Sequence, residues 1–387
     1  MDLLRNQIDT AQNEMTALLE KLVRIDSGSH NVEGVMKVAS VVKEELDKLE
    51  FHTELVECND AGPILMGENK GVNEKNVILL GHMDTVFDET AQVKNPYRRE
   101  NGRILGPGVL DMKSGIVQII YALKLLKVLD KLEYGIKIIL VGDEEVGHIN
   151  SSALQIFEKE AKDSYCVFCC EFGRPDNQIV LERKGVGTMT LDVQGRAAHA
   201  GNELASGRNA VVELSRLIME IDNLYTDPEA DLTASIGIIE GGTAVNVVPD
   251  RAKGIFDVRF THESSLDKLI QNVEEMTKNP HKDYLTTDLG YIKEYPPMMK
   301  TNSSEQFLHF VSERSEKLGF GRLKPVSVGG GADSSFFSAL NVPTLCSFGP
   351  VGQNAHTLDE FIIEESLYVR TLLLADCLAH IKELDFE

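Results

Sequence analysis

Hydrophobic residues along this chain follow two patterns. In the first, apolar positions recur every three or four residues: Met15, Leu18, Leu19, Leu22 and Val23 within 9–25, a second run over 35–49, and a third from Ser114 to Leu129. That spacing collects apolar side chains on one face and predicts amphipathic helices. In the second, apolar residues stand together in short runs that stop at polar ones. Asn76-Val-Ile-Leu-Leu80 leads into Gly81-His82-Met83-Asp84, and Ile136 to Val141 leads into Gly142-Asp143-Glu144-Glu145. Cys166 to Cys170 leads into Glu171-Phe172-Gly173, and Val342 to Ser347 into Gly349-Pro350. Runs of this length are expected of strands covered on both faces. With helices between them they predict an α/β fold, a mostly parallel sheet covered by helices. In such sheets ligands sit beyond the carboxyl ends of the strands, which is where the His and carboxylate residues fall.

Between Gly185 and Pro296 the pattern changes. Thr188 to Gln194 alternates like a half-exposed strand, and 209–224 carries Val211, Leu214, Leu217, Ile218 and Ile221 on one helical face. Strands at 234–239 and 254–260, a helix over 264–276 and a strand near 285–292 complete the order β-α-β-β-α-β of a ferredoxin-like unit. The expected organisation is therefore a discontinuous α/β domain, 1–184 and 297–387, interrupted by an inserted α+β domain at 185–296. A last helix is expected over 364–384.

Composition narrows the function classes. Of 387 residues, 39 are Lys or Arg and 61 Asp or Glu, a net charge of −22. Nucleic-acid binding rests on cations that neutralise phosphates, so no nucleic-acid partner is expected. No apolar run approaches the roughly 18 residues that span a bilayer, and the first residues lack a signal-peptide pattern, so a cytoplasmic protein without membrane contact is the expectation. Cys166, Cys169 and Cys170 offer a Cys-x-x-Cys spacing with no second pair, so they read as buried, reduced strand residues. The nearest approach to a phosphate-binding loop, Gly106 to Ser114, has Met112 where a glycine must precede the lysine, and neither a Gly-x-Ser-x-Gly elbow nor a Gly-x-Gly-x-x-Gly turn occurs.

The dispersed set that remains is His82-x-Asp84, Asp111, Glu144-Glu145, Glu171 and His356. Two His and several carboxylates at one sheet edge supply the donors that Zn²⁺ or Mn²⁺ takes. Carboxylates converging there without a cation would repel one another. Asp84, two residues from His82, can accept its other ring N–H, and one of the adjacent glutamates can ligate while its neighbour serves as base.

Six segments together resemble the co-catalytic zinc peptidase and deacylase family that includes glutamate carboxypeptidase, aminoacylase, acetylornithine deacetylase and succinyl-diaminopimelate desuccinylase. They are Gly81 to Val86, Gly106 to Gly115, Gly142 to Gly147, Gly195 to Gly201, Gly242 to Pro249 and Gly329 to Ser335. The resemblance implies two Zn²⁺ ions, with Co²⁺ or Mn²⁺ as alternatives. Asp111 would bridge them, His82 and Glu171 would complete one site, and Glu145 and His356 the other. It implies Asp84 as the residue that orients His82, Glu144 as general base, and His199 as an oxyanion-steadying group reaching a partner subunit in a homodimer. Asn246, Arg259 and Gly330 match substrate-side positions. The implied reaction is hydrolysis of an amide bond next to a free carboxylate in a small peptide, carboxypeptidase-like, or in an N-acyl amino acid; a non-catalytic binding homologue is the remaining alternative. His30, His52, His148, His262, His281, His309 and His380 match nothing and are expected to be structural or solvated.

Overall fold

The computed structural model describes residues 2–127, 134–227 and 230–386. Helices α1 (Asp2–Val23) and α2 (Val32–Lys48) lead into the short strands β1 (His52–Val56) and β2 (Ile64–Glu68). Strand β3 (Asn73–His82), helix α3 (Ser114–Lys127), strand β4 (Tyr134–Val141), helix α4 (Ala153–Ala161) and strand β5 (Ser164–Cys169) follow. Asn31 caps α2, its side chain accepting from Gly34 N. Helix α3 was expected to reach Leu129; its last two expected residues lie outside the described ones.

The chain then enters a second compact unit. Its elements are β6 (Gly185–Gln194), α5 (Ala210–Tyr225), β7 (Leu232–Gly241), β8 (Arg251–Phe260), α6 (Glu263–Thr277) and β9 (Thr286–Tyr295). They form a four-stranded antiparallel sheet in the order β7-β8-β6-β9, the expected β-α-β-β-α-β succession. Its core joins Met189, Leu191 and Val193 to Leu214, Leu217, Phe256, Val258 and Leu269. The first unit resumes with α7 (Asn302–Lys317), α8 (Ser334–Ala339), β10 (Thr344–Leu345) and α9 (Glu364–Ala379). The last helix is shorter than expected: Ala379 ends it and a single turn, Ile381–Glu383, follows.

The sheet of the first unit has the order β1-β2-β4-β3-β5-β10. Pairs β4/β3, β3/β5 and β5/β10 are parallel, whereas β1/β2 and β2/β4 are antiparallel. The parallel centre carries Ile78, Leu79, Leu80, Ile138, Ile139 and Phe168, all buried, because helices cover both of its faces. Register matters for function here. His82 lies opposite Val141 and Leu80 opposite Cys169, so 142–145 and Glu171 leave their strands beside His82.

The two units comprise Met1–Glu182, Met299–Ser327 and Ala332–Glu387, and Arg183–Met298 with Val328–Gly331. The sequence pattern placed 328–331 with the first segment. Backbone pairing explains the difference: Lys184 N donates to Val328 O at 3.0 Å, and the Arg183 guanidinium donates to the carbonyls of Gly330 and Gly331 at 2.8 and 3.1 Å.

Candidate metal centre

Each candidate ligand leaves its element at the edge the sequence pointed to. His82 ends β3, and Asp111 lies in the tight turn Val109–Lys113 that starts α3. Glu144 and Glu145 open a one-turn helix, Glu144–Val146, after β4, and Glu171 follows β5. His356 sits between two short antiparallel strands, 352–353 and 361–363, and the second of these pairs with 103–105. Residues 274 positions apart in sequence are thereby fixed around one point.

Distances define two adjoining groups that share one carboxylate. His82 Nε2 is 3.0 Å from Asp111 Oδ1 and 3.4 Å from Glu171 Oε1. His356 Nε2 is 3.1 Å from Asp111 Oδ2 and 3.5 Å from Glu145 Oε2. The two oxygens of Asp111 thus face two different imidazoles. Within each set, His82/Asp111/Glu171 and Asp111/Glu145/His356, the ligand atoms lie within 4.8 Å of one another. Glu144 joins His82 and Glu145 in a third such set.

Support from behind is dense. His82 Nδ1 lies 3.1 Å from the Asp84 carbonyl and 3.3 Å from its Oδ1. The Asp84 carboxylate also accepts the N–H groups of Glu144 and Glu145 at 3.2 and 3.1 Å and the Ser29 hydroxyl at 2.7 Å. One buried aspartate therefore aims the imidazole and anchors the turn that carries both glutamates.

The electrostatics are those of a cation site. Burial and the neighbouring Asp111 push Glu145 up to about 8 and Glu171 up to about 7. Glu144 is raised too, by burial and by Asp333, Glu145 and Glu171. Burial opposes ionisation of Asp111, yet hydrogen bonds from His356 and His82 outweigh it and hold that carboxyl far below the usual range. His356, bonded to Asp111, rises to about 9. Protons thus stand in for positive charge among crowded acids. Glu145 Oε1 is buried and lacks a hydrogen-bond partner. Two imidazoles, three carboxylates and an orphaned oxygen fit a pair of divalent cations.

The remaining predicted residues lie in the second unit. His199 is exposed; its Nδ1 accepts the N–H of Gly201 at 3.1 Å, and Ala200 N donates to the carbonyl of Asn246, also exposed, at 2.9 Å. Arg259 is engaged locally: Nε and one terminal nitrogen hold Asp257 at 2.9 and 2.7 Å, and the other lies 3.4 Å from Gly329 O. Gly330 is tethered through its carbonyl to Arg183.

Several residues at the centre escaped the sequence reading. Ser29 stands 55 residues from the aspartate it supports. Lys113, dismissed with the phosphate loop, is buried and donates to Ile25 O at 2.7 Å. Glu360 is buried under the Asp111 turn. His148, expected to be structural or solvated, is buried between Asp143 and Asp333. Lys113 and Asp333 lay within the Gly106 to Gly115 and Gly329 to Ser335 segments but were assigned no role; Ser29, Glu360 and His148 carry no local signal. Cys166, Cys169 and Cys170 are free and buried, as expected.

A sequence profile described as Peptidase family M20/M25/M40 matches residues 78–380. The chain belongs to that family. Carboxypeptidase G2 of Pseudomonas sp. (strain RS-16) is 28% identical over 369 residues, 92% of this chain and 88% of that protein. A succinyl-diaminopimelate desuccinylase of Bradyrhizobium sp. (strain BTAi1 / ATCC BAA-1182) is 28% identical over 309 residues, 75% of this chain and 79% of that one. In fold, the chain is similar to aminopeptidase PepT from Bacillus cereus ATCC 10987, with TM-score 0.79 and 19% identity over 96% of this chain and 99% of that one. An α/β architecture with a mostly parallel sheet is thus common to the M20/M25/M40 chain and its neighbours.

Proposed function

We propose that this protein is a metal-dependent hydrolase that cleaves an amide or peptide bond next to a free carboxylate, releasing a C-terminal amino acid in the manner of a glutamate carboxypeptidase. The observation that carries the reading is the shared Asp111, whose two oxygens face His82 with Glu171 on one side and His356 with Glu145 on the other. These five residues would hold two cations, Zn²⁺ first, with Co²⁺ or Mn²⁺ as alternatives. Cations held there supply Lewis acidity, which polarises the scissile carbonyl and acidifies water.

The chain's own groups do the rest. Glu144, half-buried and raised in pKa, takes a proton from the attacking water and returns it to the leaving amine. Asp84 keeps the His82 ring oriented. A cavity of about 610 Å³, lined by Gly28, Ser29, Thr85, Phe87 and Glu145 among others, opens beside the glutamates and gives a substrate room. His199 would donate to the oxyanion, and Asn246, Gly330 and Arg259 would bind substrate. Because Asp257 already occupies two Arg259 nitrogens, a substrate carboxylate has to share the guanidinium or displace that aspartate.

A homodimer fits the same reading. In the second unit β7 is an edge strand whose Ile238 and Ile239 are more than half exposed, beside exposed Val212 and Met219 of α5. Mixing Glu144→Ala with His199→Ala protein should restore activity if His199 acts across the dimer; proven subunit exchange with no recovery would exclude it.

Replacing Glu144 by Ala should lower kcat about 10²- to 10⁴-fold with metal content kept. Near-normal turnover would defeat the base assignment. The second reading, N-acyl-amino-acid deacylation, is favoured by the likeness to the desuccinylase. Zinc-loaded protein assayed on peptidyl-glutamate and on N-acetyl and N-succinyl amino acids separates the two.

A further inference from the structure

His148 is a buried histidine that the reading of the metal centre leaves unused. Its side chain is fully buried, and its two ring nitrogens point at two buried carboxylates: Nδ1 lies 3.0 Å from Asp143 Oδ1 and Nε2 lies 2.6 Å from Asp333 Oδ1. Asp143 directly precedes Glu144. Asp333 comes from a distant stretch, at the start of α8, and it is among the charges that act on Glu144. Each aspartate keeps a second oxygen, Oδ2, that is buried without a hydrogen-bond partner, so His148 supplies the bond that makes their burial tolerable.

The backbone closes the same loop. His148 N donates to Asp143 O at 3.2 Å and Gly147 N to Glu144 O at 2.9 Å, so 143–148 is a ring tied by both main chain and side chain. His148 has φ 59° and Gly147 φ 72°, a left-handed pair that a non-glycine residue adopts only when its surroundings hold it there. On the other side the turn hangs on Asp84 through the N–H groups of Glu144 and Glu145. Asp84 fixes the front of the turn, and His148 ties its back to Asp333 in another segment.

We propose that His148 is a positioning residue for the base, fixing through Asp143 and Asp333 the turn that presents Glu144 to the reacting water. The proposal rests on the reading of Glu144 as general base, and it assigns His148 no contact with substrate or cation.

Packing makes a clean test available. Phe157 and Phe336 stand edge-on around the imidazole, with centroids at 5.7 and 5.9 Å, so a phenyl ring fits the space while losing both hydrogen bonds. Wild type, Glu144→Ala, His148→Phe and His148→Gln are compared, zinc-loaded, for kcat, KM, metal content and thermal midpoint on whichever substrate the wild type cleaves. The expected result is a kcat lower by roughly 10- to 100-fold in His148→Phe, with KM and two bound metals unchanged, and partial recovery in His148→Gln, which keeps donors. Unchanged kcat in His148→Phe, or loss of metal or fold in both variants, overturns the proposal. Crystal structures of wild type and His148→Phe give a readout independent of turnover: the Glu144 carboxylate should shift relative to His82 and Glu145, and an unmoved Glu144 overturns the proposal even if the protein cleaves nothing. A fully active Glu144→Ala protein would instead defeat the base reading itself.

Discussion

Asp84 illustrates how one side chain can govern a site it does not face. Buried completely, it accepts from the His82 ring, the Ser29 hydroxyl and two main-chain N–H groups, and these bonds lower its pKa despite burial. Ser29→Ala should therefore leave one lobe of a buried carboxylate short of a donor. We expect about 1.5–3 kcal/mol lower stability in metal-free protein, read by urea unfolding, because a bond to a charged group is the one lost. An unchanged midpoint would mean that water replaces the hydroxyl at no cost. The residue types of the cage were legible because carboxylates and His at strand ends are rare without a task. Ser29 and His148 were not legible, since their partners lie in segments that only folding brings near.

Among the elements, the contact between α3 and the end of β5 bears directly on the site. A Cβ on Gly115 would stand 2.2 Å from the Cys170 carbonyl oxygen, so the first turn of α3 rests on the end of β5. Asp111 precedes that helix and Glu171 follows that strand. Gly115→Ala should force them apart, costing about 1–3 kcal/mol and weakening cation binding; wild-type melting and wild-type metal affinity together would refute this. Helices α7 and α9 are joined by a different device. Arg314 holds Asp376 through two bonds, 2.6 and 3.0 Å, both groups buried. Arg314→Ala should cost about 3–5 kcal/mol because it strands a buried carboxylate, whereas an Arg314→Met/Asp376→Leu pair should recover much of that loss in the same melting assay. The elements themselves were largely legible from periodicity. Missed were helix α4, the paired strands 178–183 and 324–328, the antiparallel β1 and β2, too short and mixed in pattern, and the ribbon of 98–100, 103–105, 352–353 and 361–363, whose strands of two or three residues carry no period at all.

For the whole molecule, the consequential property is the coupling of protons to cations. In metal-free protein His356 stands near 9, Glu145 near 8 and Glu171 near 7. These pKa values are raised, so the groups bind protons below them, and ligation requires the unprotonated forms. Cation binding must then release protons below about pH 9, and affinity should climb with pH through 7 to 9 by up to about tenfold per unit for each proton released. Zinc titrations at pH 6.5 and 8 in two buffers of different ionisation enthalpy check both sign and count; equal affinity at the two values would contradict it. Cation at a hundredfold excess over Kd should add about 2.7 kcal/mol, and chelation should lower the melting midpoint by about 5–10 °C. The net charge of −22 enters only at this scale, as a field that a negatively charged substrate meets before it reaches local cations.

From sequence alone came the alternation of helices and covered strands, the inserted β-α-β-β-α-β unit, and the polar residues that terminate each run, because hydrophobic periodicity is a local property of the chain. No helix among the described residues is long and apolar enough to cross a membrane, in line with the absence of a long apolar run. The pairing of residues was decided by the tertiary structure. Strand register set His82 level with the exits of β4 and β5, the 352–363 ribbon brought His356 to the far oxygen of Asp111, and α8 delivered Asp333 to His148. Such contacts join segments up to hundreds of residues apart, and their energy comes from burial and desolvation, which exist only once the chain has closed around them.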